Sequence, residues 1–152
     1  MSPREKLHSL GLSLPEAPAP KGDYVPVVIH HGTAYVSGQV CRLERDVITG
    51  PARADTPEQT LALAANTCVL RALSALEQAI GDLDKVERVL FMRGFVYAED
   101  GYEQYSKVLD HGSRLLIEVF GERGRHARSA LGVAGLPSSG LLEVELVVAV
   151  RG

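Results

Sequence analysis

The chain's 152 residues suit one ordinary core, and 45% hydrophobic with 23% charged residues is a globular composition. The formal net charge is −3, without any run of lysine or arginine, and three Phe, five Tyr and no Trp leave few platforms for stacked bases; nucleic acid is therefore not an expected partner. No apolar run approaches membrane-spanning length, so no membrane partner is expected, and the opening MSPREKLHSLGL is too polar for a secretory leader, which makes a cytoplasmic protein with reduced thiols the expectation.

Arg4 to Leu10 has the pattern of a short amphipathic helix, and Pro15 to Pro20 is a proline-rich linker. Too few residues precede that linker to make a core, so residues 1–22 read as a helix and strap on a single domain whose core is residues 23–152. Tyr24 to His30 and Thr33 to Gly38 read as strands joined at His31-Gly32. Val40 to Ala54 reads as a polar loop turning at Thr49-Gly50-Pro51. Cys41 falls in this loop, where more exposure is expected than for Cys68, and no partner for nucleophilic work is recognisable beside it. The five histidines, at positions 8, 30, 31, 111 and 126, lack metal-ligand spacing, and no metal is expected.

A long helix should begin with Thr56 as N-cap, Pro57 at the first helical position and Gln59 completing a capping box. Leu61, Ala64, Ala65, Cys68, Ala72, Leu76 and Ile80 then recur at helical spacing until Gly81. Asp82 to Lys85 turns into the strand Val86 to Tyr97, whose near-continuous apolar character predicts an interior position. A second long helix is predicted from about Tyr102 to Phe120, stopped by Gly121. Two helices interrupting a sheet give an α+β sandwich of order ββαβαββ with both helices on one face. No further helix remains for the opposite face, so sister subunits are expected to bury it, with Arg93, Val147 and Ala149 as contacts.

The last segment sets charges on strands. Leu142 to Val150 alternates, with Val144, Leu146, Val148 and Val150 on one face and Glu143, Glu145, Val147 and Ala149 on the other. Ala127 to Leu136 puts Arg128 among Ala130, Gly132 and Ala134, a face of small residues with room for a ligand. If Ser138 to Gly140 turns the chain between them, the two strands form a hairpin with Glu143 opposite a residue near Val133, on the order of 15 Å from Arg128. A site using both residues would then draw them from two chains. The alternative is that Arg128 makes an ordinary ion pair with an Asp or Glu.

His126-Ala127-Arg128-Ser129, Leu136-Pro137 and Leu142-Glu143-Val144-Glu145 resemble the C-terminal signature of the Rid family, the reactive intermediate deaminases also called YjgF or L-PSP endoribonuclease-type proteins. Gly22-Asp23-Tyr24-Val25 and Val36-Ser37-Gly38-Gln39 are similar to two earlier motifs of that family, and the leading extension is similar to its longer branch. The resemblance covers Tyr24 to Val150. It implies a chorismate-mutase-like two-layer sandwich with a mixed sheet, assembled as a homotrimer with pockets between subunits. The implied activity is cofactor-independent hydrolytic deamination of a small carboxylate-bearing enamine or imine, such as 2-aminoacrylate, giving ammonia and a 2-oxo acid. The resemblance places the carboxylate-binding arginine on Arg128, the water-activating glutamate on Glu143, the pocket tyrosine on Tyr24, and a loop offering backbone groups on Ser37 and Gly38. Three positions depart from it: Ala130 stands where many members have cysteine, His111 where many have asparagine, and Gly135 where many have arginine. An imidazole at 111 changes hydrogen bonding and charge near the implied substrate, which keeps open a non-catalytic trimer that binds small metabolites or a partner protein. The missing basic surface counts against ribonuclease action.

Overall fold

The segments with period two and period 3.6 become elements in the predicted order. In the computed structural model, which describes residues 1–152, the chain runs α1 (Pro3–Ser9), β1 (Val27–His30), β2 (Thr33–Val40), β3 (Arg42–Leu43), β4 (Asp46–Val47), α2 (Glu58–Ile80), β5 (Val86–Tyr97), α3 (Tyr105–Phe120), β6 (Ala127–Val133) and β7 (Leu142–Val150). The turn between β1 and β2 places His31 and Gly32 at positive φ, 49° and 74°, the backbone that matches the twist of a two-residue hairpin. The polar loop after β2 contains the small β3–β4 hairpin, an element its polarity concealed.

Five strands form one sheet in the order β1-β2-β7-β5-β6, antiparallel except for β5 with β6. That parallel pair needs a crossover, which α3 supplies. Both long helices lie on the face carrying Val36, Met92, Val144, Leu146 and Val148, giving the two-layer α+β sandwich the resemblance implies. The whole predicted apolar stripe of α2, from Leu61 to Ile80, is buried there. β7 alternates as its sequence does, with every other residue from Leu142 to Val150 buried. α1 docks through the fully buried Leu7 against α3 and the turn before β5, and Arg4 grips Glu77 with two hydrogen bonds of 2.8 and 2.7 Å. The strap is tied to α2 where Ser74 Oγ donates to the Pro15 carbonyl at 2.6 Å. No helix is long and apolar enough to cross a membrane.

Four expectations are corrected. β6 and β7 do not form a hairpin, because β5 lies between them and pairs with each. Their connection crosses the end of β5, held by Gly50 N–H on the Ser139 carbonyl (2.9 Å), Leu141 N–H on Ile48 (2.8 Å) and Tyr97 N–H on Leu141 (2.9 Å). α2 begins one residue later than predicted, with Pro57 at the cap position; Thr56 Oγ1 instead accepts the Arg53 N–H at 2.8 Å, so no capping box forms. α3 begins at Tyr105 rather than Tyr102 because residues 99–102 close a separate turn. Cys41 is fully buried, not exposed, because the β3–β4 hairpin folds over it and Ile48 supplies a carbonyl to its thiol at 3.1 Å.

Candidate functional site

β2 breaks its register with β7 between Val36 and Gln39, and this bulge turns Ser37 and Gly38 toward Glu143. The approach is close, since a Cβ on residue 38 would stand 2.6 Å from Glu143 Oε2 and displace that carboxylate. The Ser37 hydroxyl beside it is buried without a hydrogen-bond partner. Burial raises the Glu143 pKa above the ordinary carboxylate value, Glu145 raises it further, and no cation offsets either. Tyr24 stands at the rim, its hydroxyl accepting the Lys21 N–H at 3.4 Å. These groups line one cavity of 280 Å³ together with the strap residues Pro18 to Lys21, Arg42, Arg71 and Pro137. The structure thus joins Tyr24, Ser37, Gly38 and Glu143, and makes the N-terminal extension a wall of their cavity.

Arg128 belongs to a second cluster. Its side chain points to α3, where Nη1 donates to Asp110 Oδ1 (2.9 Å) and Ser113 Oγ (3.0 Å), and Nη2 to Ser106 Oγ (2.7 Å) and the Ser106 carbonyl (3.3 Å). His126 extends the chain of contacts, with Nδ1 2.6 Å from the Gly124 carbonyl and Nε2 2.9 Å from Ser113 Oγ. Burial lowers the His126 pKa, the Gly124 hydrogen bond opposes this, and Arg128 lowers it further. A neutral ring then donates from Nδ1 and accepts from Ser113, whose oxygen accepts from Arg128. The ion pair left open by the sequence is therefore present, with Asp110 as its acid. Ser106, Asp110 and Ser113 were missed, although their spacing of four and three puts them on one helix face.

The small-residue face beside Arg128 is filled, since the Tyr105 ring lies over Gly132 and Ala130 packs against the core; the space of 380 Å³ at Arg128 is lined instead by Asp110, Ser113, Ile117, Arg125 and His126. His111 is likewise not brought to Arg128 or Glu143. Its Nε2 is 2.7 Å from Glu58 Oε1 on α2, and its Nδ1 is 3.5 Å from Arg114 Nη1. A larger cavity of 620 Å³ is lined by Glu58, Glu99, Asp100 and Glu103 against Arg53 and Lys107, a net negative set that disfavours a carboxylate ligand.

Arg128 stands opposite Met92 and Met92 opposite Leu146, both facing the helices, whereas Glu143 lies three residues along β7 on the other face. Two strand spacings across and three residues along put the two about 14 Å apart at Cα. The separation agrees with the hairpin estimate but has a different cause, the interposed β5.

Over residues 4–150 the chain matches the family model described as "YjgF/chorismate mutase-like, putative endoribonuclease". It is 39% identical over 146 residues to Protein TCP17 of Trypanosoma cruzi, covering 93% of this chain and 90% of that protein. It is 29% identical over 142 residues to 2-iminobutanoate/2-iminopropanoate deaminase of Dermatophagoides farinae, covering 92% and 95% respectively. The solved structure of protein Atu1372 of Agrobacterium tumefaciens, of unknown function, matches with a TM-score of 0.90 at 33% identity, covering 98% of this chain and 92% of that one.

Proposed function

The chain belongs to the YjgF/chorismate mutase-like family, to which the Rid proteins belong, and on that premise we propose that it hydrolyses small carboxylate-bearing enamines and imines to ammonia and a 2-oxo acid. The observation that carries this reading is Glu143, a half-buried carboxylate of raised pKa lying against Gly38 in a cavity. Such a group is poised to hold a proton reversibly.

In the proposed reaction, water adds through oxygen to the imine carbon while Glu143 takes one of its protons and the nitrogen gains another. The C–N bond of the resulting carbinolamine then breaks. Nitrogen leaves as ammonia with the proton returned from Glu143, and the carbon keeps the oxygen as a ketone. The Ser37 hydroxyl, lacking a partner within the protein, is available to the water or the substrate. Arg128 would bind the substrate carboxylate from a neighbouring subunit of a homotrimer, using the Nε–H that none of its α3 partners takes. That arrangement is supported by its position on the opposite sheet face from Glu143.

The test is ammonia release from enzymatically generated 2-aminoacrylate, with and without the protein. Glu143→Gln should bind 2-oxobutanoate as the parent does yet lose roughly 10²–10⁴-fold in rate, the usual contribution of a positioned general base. A parental rate in the variant refutes the mechanism, and no acceleration by the parent leaves a metabolite-binding protein.

A further inference from the structure

The Glu143 cavity carries more positive charge than this mechanism uses. Arg4, Arg53, Arg93, Arg123, Arg125 and Arg128 each lie within ion-pair distance of a carboxylate. Six other arginines have no such partner, and of these Arg42 and Arg71 line this cavity beside Lys21 of the strap. Glu143 is the cavity's one carboxylate, and it pairs with neither guanidinium. Arg71 stands on the fourth turn of α2, and its Nε–H is buried and donates to nothing. Arg42 places one Nη2–H on Ser138 Oγ at 3.2 Å and makes no other side-chain hydrogen bond.

A half-buried guanidinium without a counter-charge costs stability, and a second one nearby adds repulsion. Both effects hold the Arg71 pKa below its ordinary value, burial first and Arg42 second. Structural arginines of this chain meet a carboxylate, as Arg128 meets Asp110, or a backbone carbonyl, as Arg88 meets that of Arg125, whereas Arg71 meets neither. The missing charge is one a ligand can bring, and a planar fork accepts a carboxylate through two parallel hydrogen bonds.

We propose that Arg71 and Arg42 form an anion subsite on the wall of the Glu143 cavity that binds a second carboxylate of the substrate, so that the preferred substrates are 2-imino dicarboxylates. The inference rests on the deaminase reading for the word substrate; the subsite itself rests on the two arginines. Lys21 of the strap adds a third positive charge to the lining of the cavity.

The test compares binding of 2-oxoglutarate and 2-oxobutanoate, the oxo products of a dicarboxylate and a monocarboxylate imine, to the full chain by calorimetry. The parent should favour 2-oxoglutarate by about tenfold or more, the scale of one charge-assisted hydrogen bond. In Arg71→Met the ratio should fall to near one, and in Arg42→Met it should shrink, so that either variant suffices if the other fails to fold. A ratio near one in the parent, or an unchanged ratio in the folded variants, overturns the proposal. Imines generated from glutamate and from 2-aminobutyrate by an amino-acid oxidase then separate the two readings. Arg71-dependent selectivity in binding with neither imine hydrolysed faster would retain the subsite and remove the deaminase. Hydrolysis of both imines without selectivity would do the reverse.

Discussion

The charge on Glu143 is disfavoured where it sits, and this has opposite consequences for activity and stability. Burial and Glu145 raise its pKa, so the general base is lost as pH falls through a value above the ordinary glutamate range. Deamination by the parent should therefore rise with pH through that raised value and level off, while Glu143→Gln shows only a low, flat rate. For stability the sign reverses. The protonated carboxyl favours the folded state, so its contribution is full below the ordinary glutamate pKa and disappears as pH rises through the folded one. Glutamine resembles the protonated form at every pH. Thermal unfolding from pH 4 to 8 should find Glu143→Gln more stable than the parent at neutral pH, with the gap closing near pH 4; a gap that is constant with pH would show that ionisation is not its cause. The grouping of Tyr24, Ser37, Gly38 and Glu143 was legible from the motifs that carry the resemblance, but the reason for it, a bulge in β2, has no sequence pattern of its own. Arg42 and Arg71 were illegible because their importance lies in partners they lack.

At the scale of elements, local periodicity located every long helix and strand, because each buries one face and repeats its apolar residues to do so. Strand partners were another matter. β6 and β7 are neighbours in sequence, and nothing in their alternation says that β5, formed before α3, will come between them. The capping box failed in a similar way: Thr56 had a competing acceptor role toward Arg53, decided by a turn that precedes the helix. α1 was legible as a helix, but its connection to the site was not. Leu7 is only 1% exposed where it meets α3, and the strap that follows α1 continues into the wall of the Glu143 cavity. Leu7→Ala should cost about 2–4 kcal/mol in chemical denaturation, within the usual range for a buried leucine. If α1 instead frays independently of the core, global stability stays near the parental value and only protection of the first 26 residues against proteolysis declines.

The whole molecule raises the question of what covers the outer sheet face. Val28, Tyr35, Val147 and Phe91 are paired in a row across four strands there, and Tyr35 and Val28 are 52% and 50% exposed. Leu131, at 45%, extends the apolar surface beside Phe95. Such a face suits contact with sister chains, and a homotrimer of 16.3 kDa subunits should scatter light as about 49 kDa. Mass alone says nothing about catalysis, but the placement of Arg128 and Glu143 on opposite faces allows a sharper test. Arg128→Gln and Glu143→Gln should each be inactive as homotrimers. If every site takes its arginine from one subunit and its glutamate from the next, co-refolded mixtures regain sites in which both residues are intact. With equal amounts mixed at random, the arginine is intact in half of the cases and the glutamate in half, so activity should return to about a quarter of the parental value. A site contained within one chain cannot be restored this way, because every chain in the mixture lacks one of the two residues. Recovery near zero from mixtures shown to be trimeric would therefore place the chemistry within a single subunit and leave Arg128 as the structural partner of Asp110.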